Sequence, residues 1–244
     1  DSDSTNYRYI DKIGFASLKK GDHEYATELY LKSLSLNQRN LTAIKNLAYL
    51  YSAEKQADTA ISILSKGIEI DSTDLSLYSM RAQLYFTKNY TRRALNDYLV
   101  ILASGDSSVL YLKRAGIGYC NNFQPQIALK YLSKAYAIDS SDYETCSYMA
   151  ESYSRLHDMD KSIHYYKRVI TILSPVYKQL GLSYMLLAES QKSNLKYQDA
   201  IASFLKSEKI TDNPTGYMVI ANIYDEQLND RKNAIFYYQA YLDG

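Results

Sequence analysis

Apolar residues return along this chain with helical spacing, in pairs of short segments separated by polar stretches. Residues 41–74 show the unit most clearly. Ile44, Leu47, Ala48 and Tyr51 stand at i, i+3, i+4 and i+7, which predicts an amphipathic helix, and Ala60, Ile61, Leu64 and Ile68 mark a second one. The polar run from Glu54 to Asp58 supplies the turn between them. After them Asp71, Ser72, Thr73 and Asp74 offer side-chain oxygens that can cap the next helix, and Asp139, Ser140, Ser141 and Asp142 repeat that chemistry. Pro125 falls near the first turn of a second helix, where a missing N–H costs little.

The pairs share a register. A small residue returns about every 34 positions, at Ala26, Ala60, Ala94, Ala128, Ser162, Ala200 and Ala234, and four places later stand Tyr30, Leu64, Tyr98, Leu132, Tyr166, Phe204 and Tyr238. A second small series lies twelve residues upstream, at Gly14, Ala48, Ala82, Gly116, Ala150, Ala188 and, displaced by one residue, Ala221. Tyr51, Tyr85, Tyr119, Tyr153 and Tyr224 follow it by three, while Ser17 and Gln191 interrupt that pattern. Two small sites twelve apart, each followed by a large residue, predict two antiparallel helices whose backbones approach closely at the small sites. A fixed period of this length means a stack of units, each burying its apolar face against its neighbours.

In these residues the chain resembles the tetratricopeptide repeat, in about seven copies from Asn6 to Leu242. The resemblance implies an all-α, right-handed superhelix of antiparallel helix pairs, with repeats at about 7–40, 41–74, 75–108, 109–142, 143–176, 177–213 and 214–242 in one array. Two irregularities carry their own expectations. The step from Ser162 to Ala200 is about four residues too long, close to one helical turn, so a face turns by only roughly 40°. That predicts a first helix in the sixth repeat lengthened at its start, from about Pro175 through Gln191. Arg81 stands where other repeats carry Leu47, Met149 and Leu187, and Asp97 lies on the facing helix, which predicts a partly buried structural ion pair.

Composition narrows the class. With 46% hydrophobic residues the chain can bury a core, and a net charge of +1 argues against a nucleic-acid or membrane surface held by bulk charge. No apolar run approaches the roughly 18 residues of a membrane span. Tyr outnumbers Phe by 27 to 5, and most tyrosines fall on the periodic core positions. Cys120 and Cys146 are expected on the order of 12 Å apart, too far for a disulfide. The polar stretch Asp1, Ser2, Asp3, Ser4, Thr5 suits a mature end left after cleavage, which points to the periplasm or cell envelope, with the cytoplasm as the alternative.

The chemistry that would make an enzyme is missing from the pattern. His23, His157 and His164 form no metal-spaced set, Gly116 and Gly118 read as packing glycines inside a helix, and no motif sets a base beside a nucleophile. The expected protein is non-enzymatic, without cofactor or metal.

The resemblance implies a binding surface lined chiefly by first helices. There the expected contacts are Lys12, Phe15, Lys45, Asn46, Tyr49, Gln83, Phe86, Lys113, Arg114, Asn121 and Tyr148, with Ile117 also facing outward and Glu189, Asp225 and Glu226 later in the chain. Cations early and acids late would match an extended peptide with an acidic group near one end and a basic group towards the other. The family's carboxylate clamp is not carried over, because Tyr49, Met80 and Leu110 stand where its amides and second lysine belong. The alternative is an assembly or sensor module, homodimeric through the C-terminal repeat, where Tyr237, Tyr238 and Tyr241 lie on the last helix.

Overall fold

The computed structural model describes residues 3–173, 177–211 and 213–243, and these are all helical apart from short turns. The chain forms two compact units, Asp1–Ser107 and Ser108–Gly244. In the first, three hairpins follow one another: α1 (Asp3–Lys20) with α2 (His23–Leu36), α3 (Leu41–Ala53) with α4 (Ala57–Ile70), and α5 (Leu75–Thr87) with α6 (Thr91–Ala103). In the second, α7 (Val109–Asn121) pairs with α8 (Pro125–Ile138), α9 (Tyr143–Arg155) with α10 (Met159–Leu173), α11 (Tyr177–Ser193) with α12 (Tyr197–Thr211), and α13 (Thr215–Asn222) with α14 (Arg231–Asp243). A π-helical turn, Ile223–Gln227, continues α13.

The small residues sit where the helices touch. Ala26, Ala60, Ala128 and Ala200 are fully buried, and Tyr30, Leu64, Leu132 and Phe204 fill the space beside them. Within each unit a second helix is shared between its own first helix and the next one, as α2, α4, α8, α10 and α12 are. In unit 1, Ala60 and Leu64 of α4 pack with Ile44 and Ala48 of α3 on one side and Leu77 of α5 on the other. In unit 2, Ile163 and Tyr166 of α10 meet Ala150 and Leu187, and Ile201 and Phe204 of α12 meet Ala188, Ile220 and Ile223. Burying a leucine such as Leu64 is worth about 2 kcal/mol, so the hairpins stack because no single one can hide both faces.

Every hairpin turns through a left-handed residue. Gly21, Lys55, Asn89, Phe123, His157, Leu195 and Asn229 have φ between 53° and 84°. Around Lys55 the Gln56 N–H donates to Tyr51 O at 2.8 Å and the Lys55 N–H to Ser52 O at 3.1 Å, the Schellman pattern that satisfies the last carbonyls of a helix. The aromatic three places after the small residue is therefore also the residue whose carbonyl closes the turn. Six of the seven positions are not glycine, at a cost of about 1 kcal/mol each. At Phe123 the Arg155 guanidinium lies 4.8 Å over the ring and donates to Cys120 O, bracing the turn from the next hairpin. The N-caps are those of the linker chemistry: Asn40, Asp74 and Asp142 each accept from backbone N–H groups of the helix they begin.

The irregular positions each have a structural answer. α11 runs 17 residues where α3, α5, α7 and α9 run 13, so the extra turn is helix; Pro175 lies outside the described residues. The one-residue displacement of Ala221 is absorbed by the π turn, which holds one residue more than an α turn. Consequently the closing bond there runs from Asp230 N–H to Tyr224 O at 2.8 Å, six residues back instead of five. Where Gln191 replaces the aromatic it is buried and accepts from Ser203 Oγ at 2.7 Å, and Ser162 and Ser190 share a buried hydrogen bond of 3.0 Å. Arg81 and Asp97 meet as a bidentate pair, Nε to Oδ2 at 2.9 Å and Nη2 to Oδ1 at 2.7 Å, with Nη1 donating to Ser65 Oγ at 2.9 Å. Cys120 and Cys146 are free and buried, and burial pushes the Cys146 thiol up to about 11.

One buried acid gives the second unit a pH response. Glu208 on α12 accepts from Gly216 N–H at 2.9 Å through Oε1, while Oε2 is buried without a partner. Burial raises its pKa above the ordinary carboxylate value against the opposing effect of that hydrogen bond. A raised folded-state pKa means that protonation stabilises the fold below the unfolded value, and this contribution is lost as pH rises through the folded value. Glu208→Gln is therefore expected to raise Tm at pH 7 and to flatten the profile of Tm against pH from about 4.5 upwards. Thermal melts at a series of pH values check this, and a variant less stable than the parent at pH 7 would refute it.

Candidate functional site

The first helices leave an open groove at the same place in both units. In unit 1 it lies between α3 and α5, has a volume of about 530 Å³, and has Leu64 of α4 in its lining. Tyr49, Ser52, Met80, Gln83 and Thr87 form its sides. In unit 2 a groove of about 400 Å³ lies between α11 and the α13 segment with its π turn, lined by Lys192, Tyr197, Val219, Asn222, Ile223 and Glu226. Counted from the small residues, Ser52 corresponds to Lys192, Met80 to Val219, Gln83 to Asn222 and Thr87 to Glu226. It is one groove of the repeat, furnished twice with different chemistry.

In unit 1 the furnishing is mostly apolar with amide and hydroxyl groups and one cation, Lys55, and Tyr49 is exposed. In unit 2 it is charged and partly bridged. Tyr197 Oη donates to Gln227 Oε1 at 2.9 Å, and Lys192 pairs with Glu189 at 2.6 Å. The π turn leaves Asp225, Glu226 and Gln227 exposed together.

The residues expected to bind do not all face outward. Tyr49 and Gln83 line the unit 1 groove. Lys12 and Phe15 are exposed on α1, with the Lys12 ammonium 5.6 Å over the Tyr9 ring and the Lys19 ammonium 5.2 Å over the Phe15 ring. Asn46 is half-buried and donates to Thr42 O at 3.0 Å, and Phe86 is half-buried. Asn121 is exposed, whereas Tyr148 is half-buried with its pKa raised, first by burial. Ile117 is fully buried, which corrects the outward-facing expectation; it stands beside Gly116, where α7 lies tight against Leu132 of α8.

The early cations are committed within the fold. Lys45 reaches Asp74 at 3.0 Å and Ser76 at 3.2 Å. Lys113 lies 3.2 Å from Asp142 and 2.9 Å from Glu144, and Arg114 lies 3.4 Å from Glu144. Burial works to lower the Lys113 pKa, but the two carboxylates outweigh it and raise it. Asp74 and Asp142 are the caps of the following helices, so these cations tie one hairpin to the next. A charge gradient built on Lys45, Lys113 and Arg114 is thereby largely cancelled. Missed in the sequence were Lys192 and Tyr197, although shifting Ser52 and Ala57 by the repeat register locates both. Among the described residues no three His, Cys, Asp or Glu side chains gather as a metal site, and no helix is long and apolar enough to cross a membrane.

Comparison with known proteins agrees with this architecture. The tetratricopeptide-repeat family model matches residues 45–74 and 214–243. No curated protein matches the chain. Among solved structures, a tetratricopeptide repeat protein from Parabacteroides merdae is similar over 98% of this chain and 93% of its own, at 16% identity and a TM-score of 0.67. YrrB, described as a TPR protein with an unusual peptide-binding site, is similar over 77% of this chain and 94% of its own, at 18% identity and a TM-score of 0.66. MamA matches 69% of this chain and 92% of its own, at 18% identity and a TM-score of 0.62. With two segments matched by the family model, and hairpins that share one register of small residues and left-handed turns, the chain has the tetratricopeptide-repeat fold.

Proposed function

We propose that this chain is a non-enzymatic interaction scaffold that holds an extended segment of a partner protein against its first helices. The observation that carries the reading is the recurrence of one groove at equivalent positions in both units, with side chains that differ between them. Walls common to a repeat serve the fold, and furnishings that differ serve recognition. Tyr49 and Met80 offer apolar contact, and Ser52, Gln83 and Thr87 offer donors and acceptors to an extended backbone. In unit 2, Glu226 with exposed Asp225 suits a segment carrying a basic side chain. YrrB, of the same fold, is described by its peptide-binding site, which supports the same use here.

Panning a random peptide library on the chain, then titrating the selected peptides calorimetrically, tests the reading. Tyr49→Ala and Gln83→Ala are each expected to weaken the unit 1 ligands about tenfold, roughly 1.4 kcal/mol. Leu36→Ala, an exposed position on α2, should leave them unchanged. Peptides whose affinity ignores both groove substitutions would refute it.

A further inference from the structure

A second groove opens in unit 1, between the second helices α2 and α4, with a volume of about 480 Å³. Helices of this chain bound it on both sides, so it is a gap inside the stack and not an end of it. Leu31 of α2 and Ile63 of α4 line it, over Ile44 and Leu47 of α3, which are buried. Arg39, Lys66 and Glu69, all exposed, form its rim. It shares no residue with the groove of Tyr49 and Gln83.

Other junctions fill the same place with a large side chain. One repeat on, Leu31, Ile44, Leu47 and Ile63 become Ser65, Tyr78, Arg81 and Asp97. There the Arg81 guanidinium spans the space, donating to Ser65 of α4 at 2.9 Å and to Asp97 of α6 at 2.7 and 2.9 Å, with the Tyr78 ring 5.7 Å away. In unit 2 the register of Ile63 belongs to Tyr165, which packs in one cluster with Met149, in the register of Leu47, and meets the Tyr136 ring edge-on at 5.7 Å. Between α2 and α4 an isoleucine and a leucine stand in those places, and the groove stays open.

We infer that an acidic segment of a partner protein inserts an aromatic side chain between α2 and α4 and sets a carboxylate against Lys66 and Arg39. A guanidinium in the manner of Arg81 would be stranded, because Ile63 stands where Asp97 would accept from it. A ring suits these apolar walls, as the Tyr165 ring suits its own. The rim selects the charge: two cations stand against one acid, Glu69. Lys66 has no partner among the described residues, whereas Arg168, in the same register of unit 2, donates to Ser140 O at 3.4 Å. The Arg39 side chain donates to Ile70 O at 3.4 Å, an exposed contact that leaves most of its fork to a ligand. Unlike Lys45 and Lys113, these cations are not spent on the caps of a following helix, so they complement an acidic partner.

A displayed library of random peptides about twelve residues long, panned on Tyr49→Ala and counter-selected on Ile63→Tyr, tests it. Tyr49→Ala impairs the first groove, and Ile63→Tyr supplies to the second the ring that Tyr165 supplies in unit 2. Enriched peptides are expected to share an aromatic and an acidic residue. Their affinity for the parent should fall about tenfold with Ile63→Tyr and with Lys66→Glu, and changing their acidic residue to Lys should restore binding to Lys66→Glu. Ligands of the first groove should bind Ile63→Tyr as they bind the parent, and a peptide that ignores Tyr49→Ala and Gln83→Ala but is lost with Ile63→Tyr belongs to this groove, so the two readings fail separately. No enrichment, enriched peptides without an acid, or binding indifferent to Lys66→Glu would overturn the inference. So would decanoate bound by the parent and not by Ile63→Tyr when no peptide is, which marks a lipid anion, or a parent dimer that Ile63→Tyr dissociates, which marks a second copy. If Ile63→Tyr melts early, Leu31→Glu, at an exposed position of α2, takes its place in every arm.

Discussion

Asp97→Ala is expected to destabilise the chain by about 3 kcal/mol in urea unfolding. The carboxylate is buried and takes two hydrogen bonds from Arg81, whose side chain is itself largely buried. The guanidinium also lies 5.7 Å from the Tyr78 ring and 5.8 Å from the Tyr85 ring, one turn before and after it on α5. The hydrogen bond that Arg81 donates to Asp97, first, and the Asp97 charge raise the Arg81 pKa, and a guanidinium keeps its proton even without them, so the cation does not escape by neutralising. Removing Asp97 leaves that charge among aromatic rings with only Ser65 to accept from it. The cost comes from the stranded charge, because a buried pair set against a matched apolar pair often gains nothing. Repeat two shows the apolar version: Leu47 holds the register of Arg81, and Ile63 that of Asp97. Arg81→Leu with Asp97→Ile is therefore expected to lie within about 1 kcal/mol of the parent. A double variant as unstable as Asp97→Ala would show that the pair itself holds the hairpin.

Gly116→Ala should destabilise by about 1–2 kcal/mol, opposite in sign to helix propensity, which alone favours alanine by about 1 kcal/mol. A Cβ on Gly116 would lie 2.6 Å from Leu132 Cγ, 2.7 Å from its Cδ2 and 3.2 Å from its backbone N. The branch point and the backbone of α8 cannot swing aside as a side-chain tip can, so α8 has to move off α7. Gly67 provides the contrast. Its added Cβ would meet Ile44 Cγ2 at 3.0 Å and two Leu77 methyls at 3.2 Å, ends of side chains that can give by a few tenths of an ångström. Gly67→Ala is expected near neutral. Thermal and urea unfolding of both variants decide the matter; a Gly116→Ala more stable than the parent would mean the contact is looser than its geometry.

The hairpins were legible because their signals are local and repeated. Small residues such as Ala60 and Ala200 mark helix contact wherever they occur, and the extra turn before Gln191 and the displaced Ala221 both show as counting errors in a fixed register. What form each error takes was not legible. Four residues lengthen α11 by a full turn, while one residue has no α-helical solution and becomes a π turn. The binding surface was read less well. Lys45, Lys113 and Arg114 looked like free cations on helix surfaces, and nothing in their own segments shows that the caps of the following helices, Asp74 and Asp142, and Glu144 beside the second, lie within reach. Ile117 looked exposed by helical phase, yet it is fully buried, beside the Gly116 at which α7 runs tight against Leu132 of α8.

By itself, then, the sequence determined the helices, their pairing and the period at which they stack, since each follows from contacts within some forty residues. The tertiary structure decided which charges are spent between hairpins, where the grooves open, and which apolar faces stay uncovered. Those outcomes depend on distances between segments about 30 residues apart, such as the 3.0 Å from Lys45 to Asp74. A difference of a few ångströms there separates an ion pair from a free binding group, and periodicity along the chain carries no measure of that distance.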